Sequence, residues 1–260
     1  MSHVFAKALR VASYDVGPDH RLTVPALLRN LHDAAQDHAA AHGFGYRELN
    51  ARGLAWALVA LELELGPRPA GESAWTAQTA VSRAAGPLVF RDYRAAVPDR
   101  PAFAAGQSMW ALIDLATRRT AAHPDELRAR LRALRTALQT EVPLVRRLAP
   151  VPELPVATRR TVHLHDCDFN GHLNNVVAAR WLLDAVADDD DDDGDGDGLG
   201  GGGLPDGRLH LTYLREALRG DIVAVHAGRV HGAPRAELRS ASGRPVAVVA
   251  FAARTSGPAD

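Results

Sequence analysis

Two periodicities alternate along this chain, and together they lay out its elements. After Thr23, apolar residues at Leu27, Leu28, Leu31 and Ala35 recur at the three- and four-residue steps of a helix face. Thr23 is placed to cap that helix, Pro25 falls in its first turn, and Gly43 and Gly45 mark its end. Four strand-like runs follow, at Leu54 to Leu65, Ala74 to Ala84, Leu88 to Val97 and Phe103 to Leu115. They are separated by Gly66-Pro67, Gly86-Pro87 and the segment Pro98 to Pro101.

The same plan recurs downstream. Thr161 to His165 reads as a short strand and Leu173 to Ala187 as a helix, followed by strands at Arg208 to Glu216, Ile222 to Val230, Ala236 to Ser240 and Val246 to Arg254. Corresponding elements of the two copies are about 150 residues apart, the mark of an internal repeat. Between the copies, Pro124 to Pro150 carries Leu127, Leu131, Leu134 and Leu138 at the spacing of one buried helix face, with Arg128, Arg130, Arg132 and Arg135 on its other sides and Arg146 and Arg147 beyond. Arginines on the outer side of a helix are first of all a solvated face, and second a surface for an acidic partner. Periodicity alone defines an α+β chain with antiparallel sheets.

Composition adds a charge asymmetry. The chain has 260 residues and a formal charge of −1, but Asp188 to Asp193, Asp195 and Asp197 hold eight of its 31 acids, leaving 23 against 30 bases elsewhere. Apart from Lys7, every base is arginine. The run 188–203, built of Asp, Gly and Leu, cannot bury enough apolar surface to order itself and is expected to be a disordered acidic loop. An EF-hand reading fails because Gly200 or Leu204 stands where the bidentate Glu belongs. No apolar run is long enough to cross a bilayer, and Met1 to Lys7 lacks the layout of an export signal, so a cytoplasmic protein is expected. The single cysteine, Cys167, excludes an intramolecular disulfide.

The densest chemistry lies at Asp166-Cys167-Asp168-Phe169-Asn170-Gly171-His172-Leu173-Asn174-Asn175, with Trp181 beyond it. Turn formation and helix capping explain one or two of these polar residues, and Asn174 is the natural cap. They do not explain His172, the paired asparagines and Trp181 together. The segment resembles the D-x-N-x-H-x-N-N-x(5)-W motif of acyl-acyl carrier protein thioesterases, enzymes of the hot-dog superfamily that release fatty acids from their carrier. Tyr213-Leu214-Arg215-Glu216 resembles the family's Y-x-R-E motif.

This resemblance implies two tandem hot-dog domains, each an antiparallel sheet wrapped around a long helix. The N-terminal domain (1–123) would supply the acyl-chain pocket, 124–150 a helical linker, and 151–260 the catalytic domain, paired as a pseudo-dimer within one chain, with a homodimer left open. It implies catalytic roles for Asp168, Asn170, His172 and Glu216, no cofactor and no metal, and acyl carrier protein as partner, with neither nucleic acid nor membrane. Some members carry a cysteine after the Glu; here Ala217 stands there, so no cysteine nucleophile exists at that position.

Thioester hydrolysis needs an activated water or a carboxylate nucleophile, and donors where negative oxygen develops. Asp168 or Glu216 can serve the first need, and Asn170, His172 and the N-terminus of a helix starting near Leu173 the second. Cys167, flanked by two carboxylates, reads as a structural residue. His163, His165 and His172 match none of the common zinc spacings. The alternatives are an acyl-coenzyme A thioesterase, because fold does not fix substrate, and a non-catalytic acyl-binding or regulatory hot-dog protein, which would have no need of Asp168 and Glu216.

Overall fold

The computed structural model describes residues 3–138, 145–151, 153–190 and 206–253. In its first half β1 (Phe5–Arg10) leads into α1 (Val24–Ala41), a short α2 (Tyr46–Asn50), β2 (Leu54–Leu65), β3 (Ala74–Ala85), β4 (Leu88–Ala96), β5 (Ala102–Asp114) and the two-residue β6 (Arg119–Thr120). After α3 (Asp125–Ala133) the second half repeats the plan. It comprises β7 (Val156–Thr161), α4 (Asn175–Asp190), β8 (Gly207–Tyr213), β9 (Ile222–Val230), β10 (Ala233–Ser240) and β11 (Pro245–Ala253).

All pairings are antiparallel, and the strands form one sheet in the order β1-β3-β4-β5-β2-β8-β11-β10-β9-β7, with β6 on β5. Taken from either edge, the two halves have the same strand order. They join where β2 pairs with β8, from Ala60↔Thr212 to Leu65↔Gly207. This is the expected α+β tandem hot-dog, closed as a pseudo-dimer within one chain.

Local signals account for the helices. The Thr23 hydroxyl accepts from the Ala26 amide at 3.3 Å, and the Asn174 side-chain oxygen accepts from the Val176 amide at 2.8 Å, so each long helix starts on a capping side chain. From α1, Leu27, Leu28, Leu31 and Ala34 are buried, and from α4 Ala179, Trp181, Leu182 and Val186. Both sets belong to one core with Leu61, Leu63, Leu209 and Leu211 from the strands at the seam. Each fully buried leucine contributes about 1.5–3 kcal/mol relative to an exposed one, so this shared core fastens the halves together.

Several boundaries differ from those read in the sequence. The connector helix stops at Ala133: Leu127, Leu131 and Leu134 are buried against Val81, Val89 and Leu112 of the first half, while Leu138 is off the helix with its amide on the Asp92 carboxylate at 3.2 Å. Residues 145–151 then cross the sheet as a strap. The Val145 amide donates to Gln107 Oε1, the Leu148 amide to Thr212 Oγ1 and the Val151 amide to Glu237 Oε1. These bonds explain why Gln107, Thr212 and Glu237 are buried polar residues.

The second short strand is β7, earlier than Thr161 to His165; Leu164–Asp166 is instead a 3-10 turn. Helix α4 starts at Asn175, not Leu173, because Leu173 is held in a bridge to Cys167 and Asn174 caps the helix through the Val176 amide. It runs on to Asp190, so residues 188–190 of the expected acidic loop are helical, and 191–203 lie outside the described residues. No described helix is long and apolar enough to cross a membrane.

Candidate active site

The site lies where the seam between the halves splits. β2 pairs with β8 only from Ala60 onward, and β8 ends at Tyr213, where the amides of Leu214 and Arg215 both turn to the Val246 carbonyl. Strand pairing therefore stops while β2 continues back to Leu54, leaving Ala55 to Val59 facing the segment Leu214 to Ala217 across a cleft of about 560 Å³. Asp168, Asn170, His172 and Glu216 all line it. Glu216 thus sits just past the strand rather than on it, and in doing so reaches the turn.

The turn that carries the first three residues is tied at both ends. Cys167 and Leu173 form a β-bridge, the Asp168 amide donates to the His172 carbonyl at 2.8 Å, and the Asn174 amide to the Asp166 carbonyl at 2.8 Å. Gly171 takes a φ of +78°, the left-handed conformation that suits glycine. Asp168 Oδ1 accepts from the amides of Asn170 at 2.8 Å and His172 at 3.4 Å, so half of this carboxylate does the work of a turn. Its Oδ2 and the Asn170 side chain have no hydrogen-bond partner among the described residues.

Glu216 is brought up by two contacts. Its neighbour Ala217 accepts from the Leu173 amide, and Leu218 bridges to His172. The Tyr213 hydroxyl donates to the Asn175 carbonyl at 2.9 Å, fixing the end of β8 against the first turn of α4, and burial raises its phenol well above the ordinary range. As a result Glu216 Oε1 lies 3.4 Å from His172 Nδ1. The two motifs, more than forty residues apart in sequence, meet in one place.

The first half contributes two residues that the motifs did not reveal. Arg118, in the turn between β5 and β6, donates to His172 Nε2 at 2.7 Å and to Glu216 Oε2. Tyr46 of α2 packs its ring at a 40° tilt against Phe169, centroids 4.9 Å apart, beside the same turn. Arginine is the commonest base here, so no local signal marks Arg118.

The remaining candidates have structural partners. The Cys167 thiol donates to the His163 carbonyl at 3.4 Å, and Asp166 Oδ2 accepts from the His163 amide at 2.8 Å, closing the 3-10 turn. Among the described residues no three His, Cys, Asp or Glu side chains converge as metal ligands. The opposite wall of the cleft comes from Trp56, Leu58, Ala111 and Ile113 of the N-terminal strands, with Ala178 and Val246 from the other half. Polar groups at one end and an apolar wall beside them suit a substrate with a polar reacting bond and a greasy chain.

An antiparallel sheet of two matching halves, each wrapped on one long helix, defines a tandem hot-dog protein. A family model for the acyl-ACP thioesterase N-terminal domain matches residues 2–131, and one for the thioesterase-like superfamily matches residues 162–247. The chain belongs to the acyl-ACP thioesterase family. Among curated relatives, a chloroplastic acyl-[acyl-carrier-protein] hydrolase of Cuphea viscosissima is 26% identical over 202 residues, covering 70% of this chain and 47% of the relative. The chloroplastic dodecanoyl-[acyl-carrier-protein] hydrolase of Cinnamomum camphora is 24% identical over 200 residues, covering 71% and 51%.

The chain thus spans about half the length of these relatives. Solved structures of an acyl-ACP thioesterase from Bacteroides thetaiotaomicron and of a 12:0-ACP thioesterase from Umbellularia californica each superpose with a TM-score of 0.79. They are 22% and 19% identical, cover 96% of this chain, and are themselves covered over 99% and 97%. These likenesses establish the fold.

Proposed function

We propose that this protein hydrolyses fatty acyl-acyl carrier protein to free fatty acid and carrier, with Asp168, Asn170, His172 and Glu216 as its reacting and orienting groups. The observation that carries the reading is the convergence of these four side chains on one cleft with an apolar far wall. Both Glu216 oxygens are engaged, one by His172 and one by Arg118, whereas Asp168 Oδ2 is open to the cleft's contents. Asp168 is therefore the general base: Oδ2 takes a proton from water as the water oxygen attacks the thioester carbonyl.

The carbonyl oxygen of the resulting tetrahedral intermediate is met by the Asn170 amide, the donor free to turn toward it. Collapse breaks the C–S bond, and the thiolate leaves with the proton that Asp168 acquired. Glu216 holds the His172 ring beside the reacting centre. The acyl chain follows the Trp56, Leu58 and Ile113 wall contributed by the N-terminal half.

Purified protein is offered matched acyl-carrier and acyl-coenzyme A substrates over a range of chain lengths, and thiol release is followed. Turnover faster on the carrier-linked substrate is expected. Asp168→Asn keeps an oxygen for the turn but cannot accept the proton, and should lose about 10²- to 10⁴-fold in kcat without unfolding. Full activity in that variant removes Asp168 from its role; preference for coenzyme A assigns the other carrier; and inactivity on both favours acyl binding without catalysis.

A further inference from the structure

We infer that Arg118 is a positioning residue through which the N-terminal half sets the ring state of His172 in the C-terminal half. The inference rests on the thioesterase reading above for its kinetic consequence, but its structural content is independent. A guanidinium can only donate, so the 2.7 Å contact makes His172 Nε2 the acceptor and leaves the ring proton on Nδ1. Nδ1 is the nitrogen 3.4 Å from Glu216 Oε1. One cation thereby fixes the tautomer of His172, aims its N–H at Glu216, and holds the second oxygen of that carboxylate.

The turn behind Arg118 is built to present it. Asp114 Oδ1 accepts from the Thr117 amide at 2.7 Å and the Thr117 hydroxyl at 2.9 Å, bonds that hold its carboxyl below the usual carboxylate range. The Arg118 amide donates to the Asp114 carbonyl at 2.9 Å, and Asp114 pairs with Arg119. Arg118 itself sits at a φ of +57°, a conformation in which a long side chain is uncommon and mildly strained. Stability does not explain the arrangement. The ion pair has side chains 47% and 49% exposed, and exposed pairs contribute little to folding.

Because β5 pairs with β2 along Leu54 to Leu58, the hairpin rides on the same strand that forms the apolar wall. The reacting centre is thus complete only when both halves are seated.

The test compares wild type, Arg118→Met and Arg118→Lys in acyl-carrier hydrolysis, with and without guanidinium at a non-denaturing concentration, beside ¹⁵N NMR of the His172 ring. Arg118→Met should lose about tenfold or more in kcat with KM changed by no more than about twofold and an unchanged melting temperature, since orientation and not binding is removed. Lysine, a point charge without the fork, should recover little, and guanidinium should restore part of the methionine variant's rate.

In the NMR experiment, wild type should show the Nδ1–H tautomer and Arg118→Met should lose it. Wild-type kcat in Arg118→Met, or one unchanged ring tautomer in both proteins, would overturn the inference. A wild type inactive on every thioester sinks the functional proposal instead, and the ring spectra still decide the role of Arg118.

Discussion

The turn from Asp15 to Thr23 and the turn from Asp166 to Asn174 share one backbone and no chemistry. Each begins with a 3-10 turn, at Ser13–Asp15 and Leu164–Asp166, and closes with a bridge, Val16↔Leu22 and Cys167↔Leu173. The Gly17 amide donates to the Arg21 carbonyl at 2.9 Å as Asp168 does to His172 at 2.8 Å, and the Leu22 amide reaches Pro69 as Leu173 reaches Ala217. Position by position, Gly17 stands for Asp168, Asp19 for Asn170, Arg21 for His172 and Arg68 for Glu216. In the first half these polar groups are tied to one another and to the backbone: Arg68 donates to the Leu22 carbonyl at 2.6 Å and pairs with Asp19 at 3.0 Å, both largely buried, while the exposed Arg21 donates to the Arg68 carbonyl at 2.7 Å.

One half has turned the site into a lock, and the other has kept its polar atoms facing a cleft. The backbone is permissive; the four side chains decide. Asp168→Gly, which gives the second turn the residue of the first, breaks this contrast most directly. It removes the proposed base and two turn bonds, so kcat should fall about 10²- to 10⁴-fold or more, read in single-turnover thiol release. The reverse graft, Gly17→Asp, should create nothing, because Arg21 and Arg68 stand where His172 and Glu216 would be needed, and a Cβ on Gly17 would lie 3.0 Å from Asp19 Oδ1.

Arg68 and Glu216 sharpen the comparison from the side of stability. Arg68→Met leaves Asp19 buried without its partner and should cost about 3–5 kcal/mol in denaturant unfolding, while the folded variant keeps its kcat. Glu216→Gln should do the opposite, shifting stability by less than about 1 kcal/mol because the residue is half-exposed, yet depressing turnover. Equal stability losses from both changes would mean that the two turns are both structural.

The left-handed residue gives a smaller test. Gly171 at φ +78° corresponds to His20 at φ +59°. Nothing lies within 4 Å of a Cβ built on Gly171, so Gly171→Ala meets no clash and pays only the backbone term, about 1–2 kcal/mol. A larger loss in thermal denaturation would show that the turn is tighter than its counterpart.

The long elements were legible in sequence because burial imposes a period: α1 and strands β2 to β5 and β9 to β11 fall within a few residues of their expected limits. β7 was misplaced because all six of its residues are exposed at a sheet edge, where no hydrophobic alternation is required, while the alternation that begins at Thr161 runs on through Val162 to His165, beyond the strand's end. β8 ended early because the Leu214 and Arg215 amides share one acceptor, which no alternation of side chains records. The four cleft residues were legible as motifs. Arg118 was not, because it lies 54 residues from His172 and its position depends on how a hairpin of the other half is pinned.

The two central helices extend the comparison to pH. The offset that superposes the turns puts His32 of α1 where α4 has the buried Leu183. His32 Nε2 is enclosed and without a hydrogen-bond partner among the described residues, its ring lies edge-on to Trp110 at 5.7 Å, and burial pushes its pKa down to about 4. The unfolded chain takes up a proton near the ordinary 6.5, which the folded state refuses until about 4, so the folded form loses ground as pH falls between those limits. Each such histidine steepens the dependence by at most about 1.4 kcal/mol per pH unit. His38, pushed down to about 3 by burial and by the Arg91 guanidinium 2.8 Å from its Nδ1, acts in the same direction. His32→Leu should therefore reduce the slope of unfolding free energy against pH between 6.5 and 4 without abolishing it, and leave stability above pH 7 nearly unchanged. A slope identical to wild type would mean that the His32 ring is hydrated in solution and that α1 and α4 bury equivalent faces after all.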